Sequence, residues 1–219
     1  MNHETLQRFY ALNAAAIENV YDKPERQADL AVLRQKLPEL LRGHKVLEIA
    51  CGTGYWTRLI GASAASVHAI DVNEEALALA RARQPANDEG GNVTFAQADA
   101  FDLPAAIGEY TAVFAGFWWS HVKREEQERF LAQLRAKLGK DVLLVLLDNV
   151  YVDGSSTVIA RTDLEGNTYQ FRTLPSGERL EIVKNFPTDS YLRKKLAAAV
   201  KEIRIERWQY YWLLTARLK

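Results

Sequence analysis

The sequence predicts an α/β protein: a doubly wound, mostly parallel sheet with helices on both faces. Three observations carry this. The run Val46-Leu47-Glu48-Ile49-Ala50-Cys51-Gly52-Thr53-Gly54-Tyr55 joins an apolar stretch to a glycine turn, and its near-continuous hydrophobicity suits a parallel strand buried on both faces. From residue 45 to about 150, strand and helix patterns alternate strictly, which implies right-handed crossovers in a parallel sheet. After Asp148 the pattern changes to short alternating segments separated by turn residues, the mark of antiparallel pairing.

Each element has a local reason. Residues 1–44 hold two helical segments, Leu6 to Val20 and a second with Leu30, Leu33, Leu37 and Leu41 on one face, ending near Gly43; together they are expected to cap a cleft. Residues 45–150 form the sheet core. Ser66 to Ile70 is its second strand, ending in Asp71. Asn73 is placed to cap a helix from Glu74 to Arg83, acids first and arginines last as the helix dipole prefers. A loop over 84–91 leads to a strand over Val93 to Gln97. Thr111 to Gly116 is the fourth strand, Lys123 to Leu138 a helix stopped by Gly139, and Val142 to Leu147 the fifth strand. Residues 151–186 read as an inserted antiparallel flap, with strands at Val158 to Ala160, Thr168 to Thr173 and Arg179 to Asn185. In 187–219, Thr188 caps a helix reaching about Lys201, and Ile203 to Arg207 and Tyr210 to Arg217 close the sheet.

Composition narrows the function. At 219 residues the chain suits a single domain. Its 28 Lys and Arg balance 28 Asp and Glu, so no global field draws in nucleic acid or an anionic membrane. Cys51 is the lone cysteine, which excludes an internal disulfide and a thiolate metal cluster within the chain; His3, His44 and His68 have no metal-ligand spacing, and no metal is expected. Met1 to Tyr10 lacks the apolar core of a signal peptide and no run approaches the length of a membrane span, so a cytoplasmic protein is expected, as monomer or homodimer.

The glycine turn selects a ligand. Gly52 and Gly54 let backbone amides approach closely, and Glu48 would repel the phosphates of a dinucleotide yet attract an ammonium. Asp71 stands about twenty residues beyond Gly52, the distance at which a nucleotide-binding βαβ unit keeps its ribose-binding acid. The third strand delivers Asp99 to the same sheet edge. A dinucleotide fingerprint would place its third glycine where Thr57 stands.

With these sites together, residues 45–150 resemble the class I S-adenosylmethionine-dependent methyltransferases. The resemblance implies a Rossmann-like seven-stranded sheet with one antiparallel strand at an edge, S-adenosyl-L-methionine as cofactor and S-adenosyl-L-homocysteine as product. It places Glu48, Ala50, Cys51, Gly52 and Gly54 around the methionine moiety, Asp71 on the ribose, Val72 against adenine, and Asp99, Ala100 and Phe101 at the adenine edge, with Gly116 at the end of the fourth strand. The family often has glycine where this chain has Ala50. In similar enzymes the N-terminal segment folds over the methionine end, where Tyr21 and Tyr10 can donate to its carboxylate, with Arg26 as a further partner.

The reacting end is expected at Ala115-Gly116-Phe117-Trp118-Trp119-Ser120-His121. Phe117, Trp118 and Trp119 are candidate walls of a substrate pocket shared with Tyr10, and aromatic faces favour a sulfonium. The family's Asn/Asp-Pro-Pro-aromatic motif of amino-methylating DNA and protein enzymes is absent here. His121 is the candidate general base, titrating near neutrality if unperturbed; positioning alone is the competing account. The flap's Tyr151, Tyr169, Phe171 and Arg172 are further candidates for substrate contact. The expected activity is methyl transfer to an oxygen or nitrogen of a small-molecule acceptor; a protein or RNA methyltransferase and an NAD-binding module are the alternatives.

Overall fold

The computed structural model describes residues 3–83, 91–104 and 107–219; of the loop expected over 84–91, all but Gly91 lies outside them. Five strands, β1 (Lys45–Ile49), β2 (Ser66–Asp71), β3 (Val93–Gln97), β4 (Ala112–Gly116) and β5 (Leu143–Asn149), run parallel. With the later β9 (Val200–Arg207) and β10 (Tyr211–Leu218) they make one seven-stranded sheet in the order β3-β2-β1-β4-β5-β10-β9. β10 is antiparallel to both neighbours and lies one place in from the edge strand β9.

The pleat explains the two-sided core. Leu47, Ile49, Val113, Leu144 and Leu146 face α5 (Gln127–Leu138) and α6 (Asp189–Leu196), while Val46, Phe114, Val145 and Leu147 face α2 (Gln27–Leu40) and α3 (Tyr55–Gly61). Glu48 shares the second face and is buried. A separate three-stranded antiparallel sheet, β6 (Arg161–Thr162), β7 (Thr168–Thr173) and β8 (Arg179–Val183), follows β5.

Several boundaries differ from expectation. The first helix, α1 (His3–Leu12), ends well before Val20, and 3-10 turns carry the chain from Ala14 to Arg26. The first flap strand is Arg161–Thr162, where pairing with β7 is available, and not Val158 to Ala160. The helix capped by Thr188 stops at Leu196 because Val200 already pairs with Leu218; strand pairing overrides local helix propensity. Asn73 precedes α4 (Glu74–Ala82) but its side chain makes no cap bond; its N–H donates to Asp71 instead.

Candidate functional site

The glycine turn is built by backbone conformations that β1 cannot continue. Ala50, Gly52 and Gly54 all have positive φ (54°, 56° and 79°), which reverses the chain into α3. The turn is tied to the neighbouring strand: Cys51 N–H donates to Ile70 O at 3.0 Å and Gly52 N–H to Asp71 Oδ2 at 2.8 Å. Asn73 N–H donates to Asp71 Oδ1 at 2.9 Å, so both carboxylate oxygens are oriented and each keeps a lone pair. Burial raises the Asp71 pKa, opposed by these amides.

A cavity of about 530 Å³ opens over the turn. On one side it is lined by Ala50, Cys51, Gly52, Asp71, Val72, Asp99, Ala100, Phe101 and Gly116, the strand ends predicted for the cofactor. A Cβ on Gly52 would meet nothing within 4 Å, so the turn leaves open space there. Asp99 accepts from the Phe101 N–H at 2.8 Å, fixing the third strand's exit. Burial and the charges of Glu48 and Asp71 push the Cys51 thiol up, so it is no thiolate.

Two predicted cofactor contacts lie elsewhere. Gly54 does not line the cavity; its φ of 79°, and the 3.1 Å that would separate a Cβ there from Ala80 Cβ in α4, already call for glycine. Glu48 lies beneath the turn and also lines no part of the cavity. Burial, with the Asp71 charge adding, pushes its carboxyl up to about 8, and Oε2 has no hydrogen-bond partner.

The other side of the cavity comes from distant segments. Tyr21 stacks on Tyr55 at 4.1 Å between ring centres, and its hydroxyl accepts from Trp56 Nε1 at 3.0 Å, leaving its own proton to donate. Tyr10 meets His121 Nε2 at 2.6 Å; His121 Nδ1 lies 2.6 Å from Val183 O. A carbonyl only accepts, so Nδ1 carries the proton and Nε2 accepts from the Tyr10 hydroxyl. Burial, then the charges of Lys184 and Arg172, lower the His121 pKa well below its usual value, against the Val183 bond. The near-neutral titration expected for this residue is therefore corrected: His121 is a neutral imidazole with its lone pair engaged.

Phe117 and Trp118 line the cavity; Trp119 does not. Its ring is buried in the core beside Phe130, because successive residues in a 3-10 turn point in different directions, and its assignment to the pocket is withdrawn. Phe117 itself has φ +59°, an uncommon conformation for an aromatic residue, held by a 2.6 Å bond from its N–H to Leu147 O.

Sequence reasoning missed much of this side. Lys184, Gln170, Ser155, Thr157 and Phe186 line it, as does Arg172, flagged only as one of several flap residues; period-two alternation puts Gln170 and Arg172 inside and Phe171 on the exposed face. Tyr151 and Tyr169 do not line it. Lys184 forms a buried 3.1 Å ion pair with Asp148, which also accepts from the Ser120 N–H and hydroxyl at 2.8 and 2.9 Å. Among the described residues, no cluster of His, Cys, Asp or Glu can hold a metal ion, and no helix is long and apolar enough to cross a membrane.

Residues 46–141 match a family described as "Methyltransferase domain". Two solved structures similar to this chain are titled "DhpI-SAH complex structure" (27% identity, TM-score 0.73, covering 100% of this chain and 98% of that one) and "DhpI-SAM-HEP complex" (25%, 0.76, 98% and 96%). These likenesses support a class I S-adenosylmethionine-dependent methyltransferase. Among curated relatives, this methyltransferase is 28% identical to the O-methyltransferase rstn1 of Aspergillus nomiae over 173 residues, 74% of each chain. It is 35% identical over 115 residues to the ubiquinone/menaquinone biosynthesis C-methyltransferase UbiE of Azotobacter vinelandii, spanning 51% of this chain and 45% of that protein.

Proposed function

We propose that the methyltransferase moves a methyl group from S-adenosylmethionine to an oxygen or nitrogen of a small molecule. The observation that carries the reading is the single cavity shared by the strand-end residues and the Tyr10–His121 side. The donor fits the residues present. Asp71 offers oriented acceptors for ribose hydroxyls, and the open space at Gly52 admits a ligand backbone. When bound, the donor supplies an electrophilic methyl on a sulfonium.

The chain's own residues position and shield. Phe117 and Trp118 wall the reacting end, and the roof includes α1, whose Arg8 makes a two-pronged ion pair with Glu178 at 2.8 and 2.7 Å. A roofed acceptor end favours a small molecule over a protein or RNA segment. The UbiE relatives are named for carbon transfer, which requires a base; the engaged Nε2 of His121 favours an acceptor atom that is already nucleophilic.

Calorimetry with S-adenosylhomocysteine tests the donor site: folded Asp71→Ala should bind at least tenfold more weakly, since charged hydrogen bonds contribute about 1.5–3 kcal/mol each. Unchanged affinity would remove Asp71 from the site. Methyl-labelled donor incubated with a cell extract should mark low-mass products; label confined to protein or RNA would overturn the small-acceptor reading.

A further inference from the structure

The acceptor side of the cavity holds more positive charge than its own residues neutralise. Arg26, Arg172, Lys184 and Lys23 all line it. Lys184 is matched by Asp148. The two arginines have no carboxylate partner among the described residues. Arg172 donates to Gln170 Oε1 at 2.8 Å and to Thr157 Oγ1, and Arg26 donates to Ser155 Oγ at 3.2 Å, all neutral acceptors. Exposed Glu25 accepts from that Ser155 hydroxyl at 3.1 Å but lines no part of the cavity. The cavity's own acids are at the other end or spoken for: Asp71 and Asp99 at the strand ends, and Glu18 held by the Thr53 hydroxyl and Arg83.

These guanidiniums are oriented and costly to leave together. Arg26 is buried, its guanidinium over the rings of Tyr210 and Tyr211 at 5.4 and 5.9 Å. Burial and then the nearby Arg26 charge weaken Arg172's hold on its proton, although Tyr10 opposes this. Two like charges fixed in one partly dry cavity, each forked donor with N–H groups left over, are relieved by an anion with several oxygens. The lack of a free base points the same way. His121 is neutral with its lone pair bound to Tyr10, so an acceptor that must first lose a proton gains nothing from it.

Resting on the methyltransferase reading above, we propose that the acceptor is a small organic oxyanion, a carboxylate or a phosphorus oxyanion, held by Arg172 and Arg26, and that one of its own oxygens takes the methyl. The acceptor oxygen contributes the electron pair of the new O–CH₃ bond while the pair of the broken S–CH₃ bond stays on sulfur. A negative oxygen and a positive sulfonium become a neutral ester linkage and a neutral thioether, and no proton is released. Lys23, whose Nζ lies 3.4 Å from Ser155 O, adds positive charge to the same side.

The test titrates the full chain, saturated with S-adenosylhomocysteine, with inorganic phosphate and in parallel with butyrate, at constant ionic strength. Heat and the fluorescence of the cavity's tryptophans are the readouts. Saturable binding of either is expected, phosphate ahead of butyrate indicating a phosphorus acceptor and the reverse a carboxylate. Arg172→Gln and Arg26→Gln should each weaken it at least tenfold, and Arg172→Lys, which keeps the charge but loses the fork, by less. S-adenosylhomocysteine affinity should stay within twofold in the two Arg172 variants, and an unchanged far-ultraviolet circular dichroism spectrum reports folding in all three. No saturable binding to wild type, or equal binding to the Gln variants, overturns the oxyanion site. Failure of S-adenosylhomocysteine itself to bind would instead overturn the underlying methyltransferase reading. With a methyl-¹³C donor, the label should appear as an O–CH₃ carbon, released as methanol by hydroxide from a carboxylate ester or coupled to phosphorus in a phosphorus ester; label on nitrogen or carbon would overturn transfer to the oxyanion's oxygen.

Discussion

The two ends of the cavity are assembled in opposite ways. At the strand end, Asp71 closes β2 and Asp99 lies two residues past β3, with Glu48 beneath the turn; backbone N–H groups orient Asp71 and Asp99. At the other end, His121, Arg172, Lys184 and Arg26 come from a 3-10 turn, the second sheet and the N-terminal segment, and side chains hold most of them: Lys184 to Asp148, Arg172 to Gln170, His121 to Tyr10. One end is acidic and local in sequence; the other is basic and joined by distant partners, Lys184–Asp148 across 36 residues and Tyr10–His121 across 111. Local backbone grammar builds a nucleoside-like site; only tertiary packing concentrates cations.

The ends also respond to pH with opposite sign. Glu48 is raised to about 8 from an ordinary 4.5, so the folded state holds the extra proton, and its contribution is lost as pH rises from about 4.5 through 8. His121 is lowered, so the unfolded state takes up the extra proton, and stability is lost as pH falls below about 6.5.

The largest expected effect breaks the basic end. Lys184→Met leaves Asp148 buried without its cation, which should cost about 3–5 kcal/mol in urea unfolding. A loss under about 1 kcal/mol would show that the second sheet is anchored by the neutral bonds of Asn185 and His121 alone.

Next comes the acidic end. Glu48→Gln should flatten the decline in stability between pH 4.5 and 8, a difference on the order of several kcal/mol at pH 8, measured by denaturation at a series of pH values. A decline that persists in the variant would place its origin elsewhere.

The smallest effect concerns the turn. Ala50 adopts the left-handed conformation that the family's glycine accepts without strain, a cost of roughly 1–2 kcal/mol for a residue with a Cβ. Glycine's greater freedom in the unfolded chain offsets roughly 0.5–1 kcal/mol of this. Ala50→Gly should therefore raise stability by up to about 1 kcal/mol, read as a small increase in Tm; a fall would mean that the methyl packs usefully against the turn.

Sequence by itself determined the parallel sheet, the glycine turn, and the arrival of Asp71 and Asp99 at one edge. Hydrophobic periodicity reports burial, and a residue at the end of a parallel strand has nowhere else to go. It misjudged features whose direction depends on neighbours. Gly54 looked like a ligand contact but serves Ala80, and Trp119 looked like a pocket wall but fills the core. The chain also prolonged the Thr188 helix past Leu196, since nothing local announces that Val200 will pair with Leu218. Tertiary structure alone decided the charge of the acceptor end. Chain-wide neutrality hid it, because Lys184 is cancelled by Asp148 and the two arginines are not matched, a difference set by contacts between segments far apart in sequence.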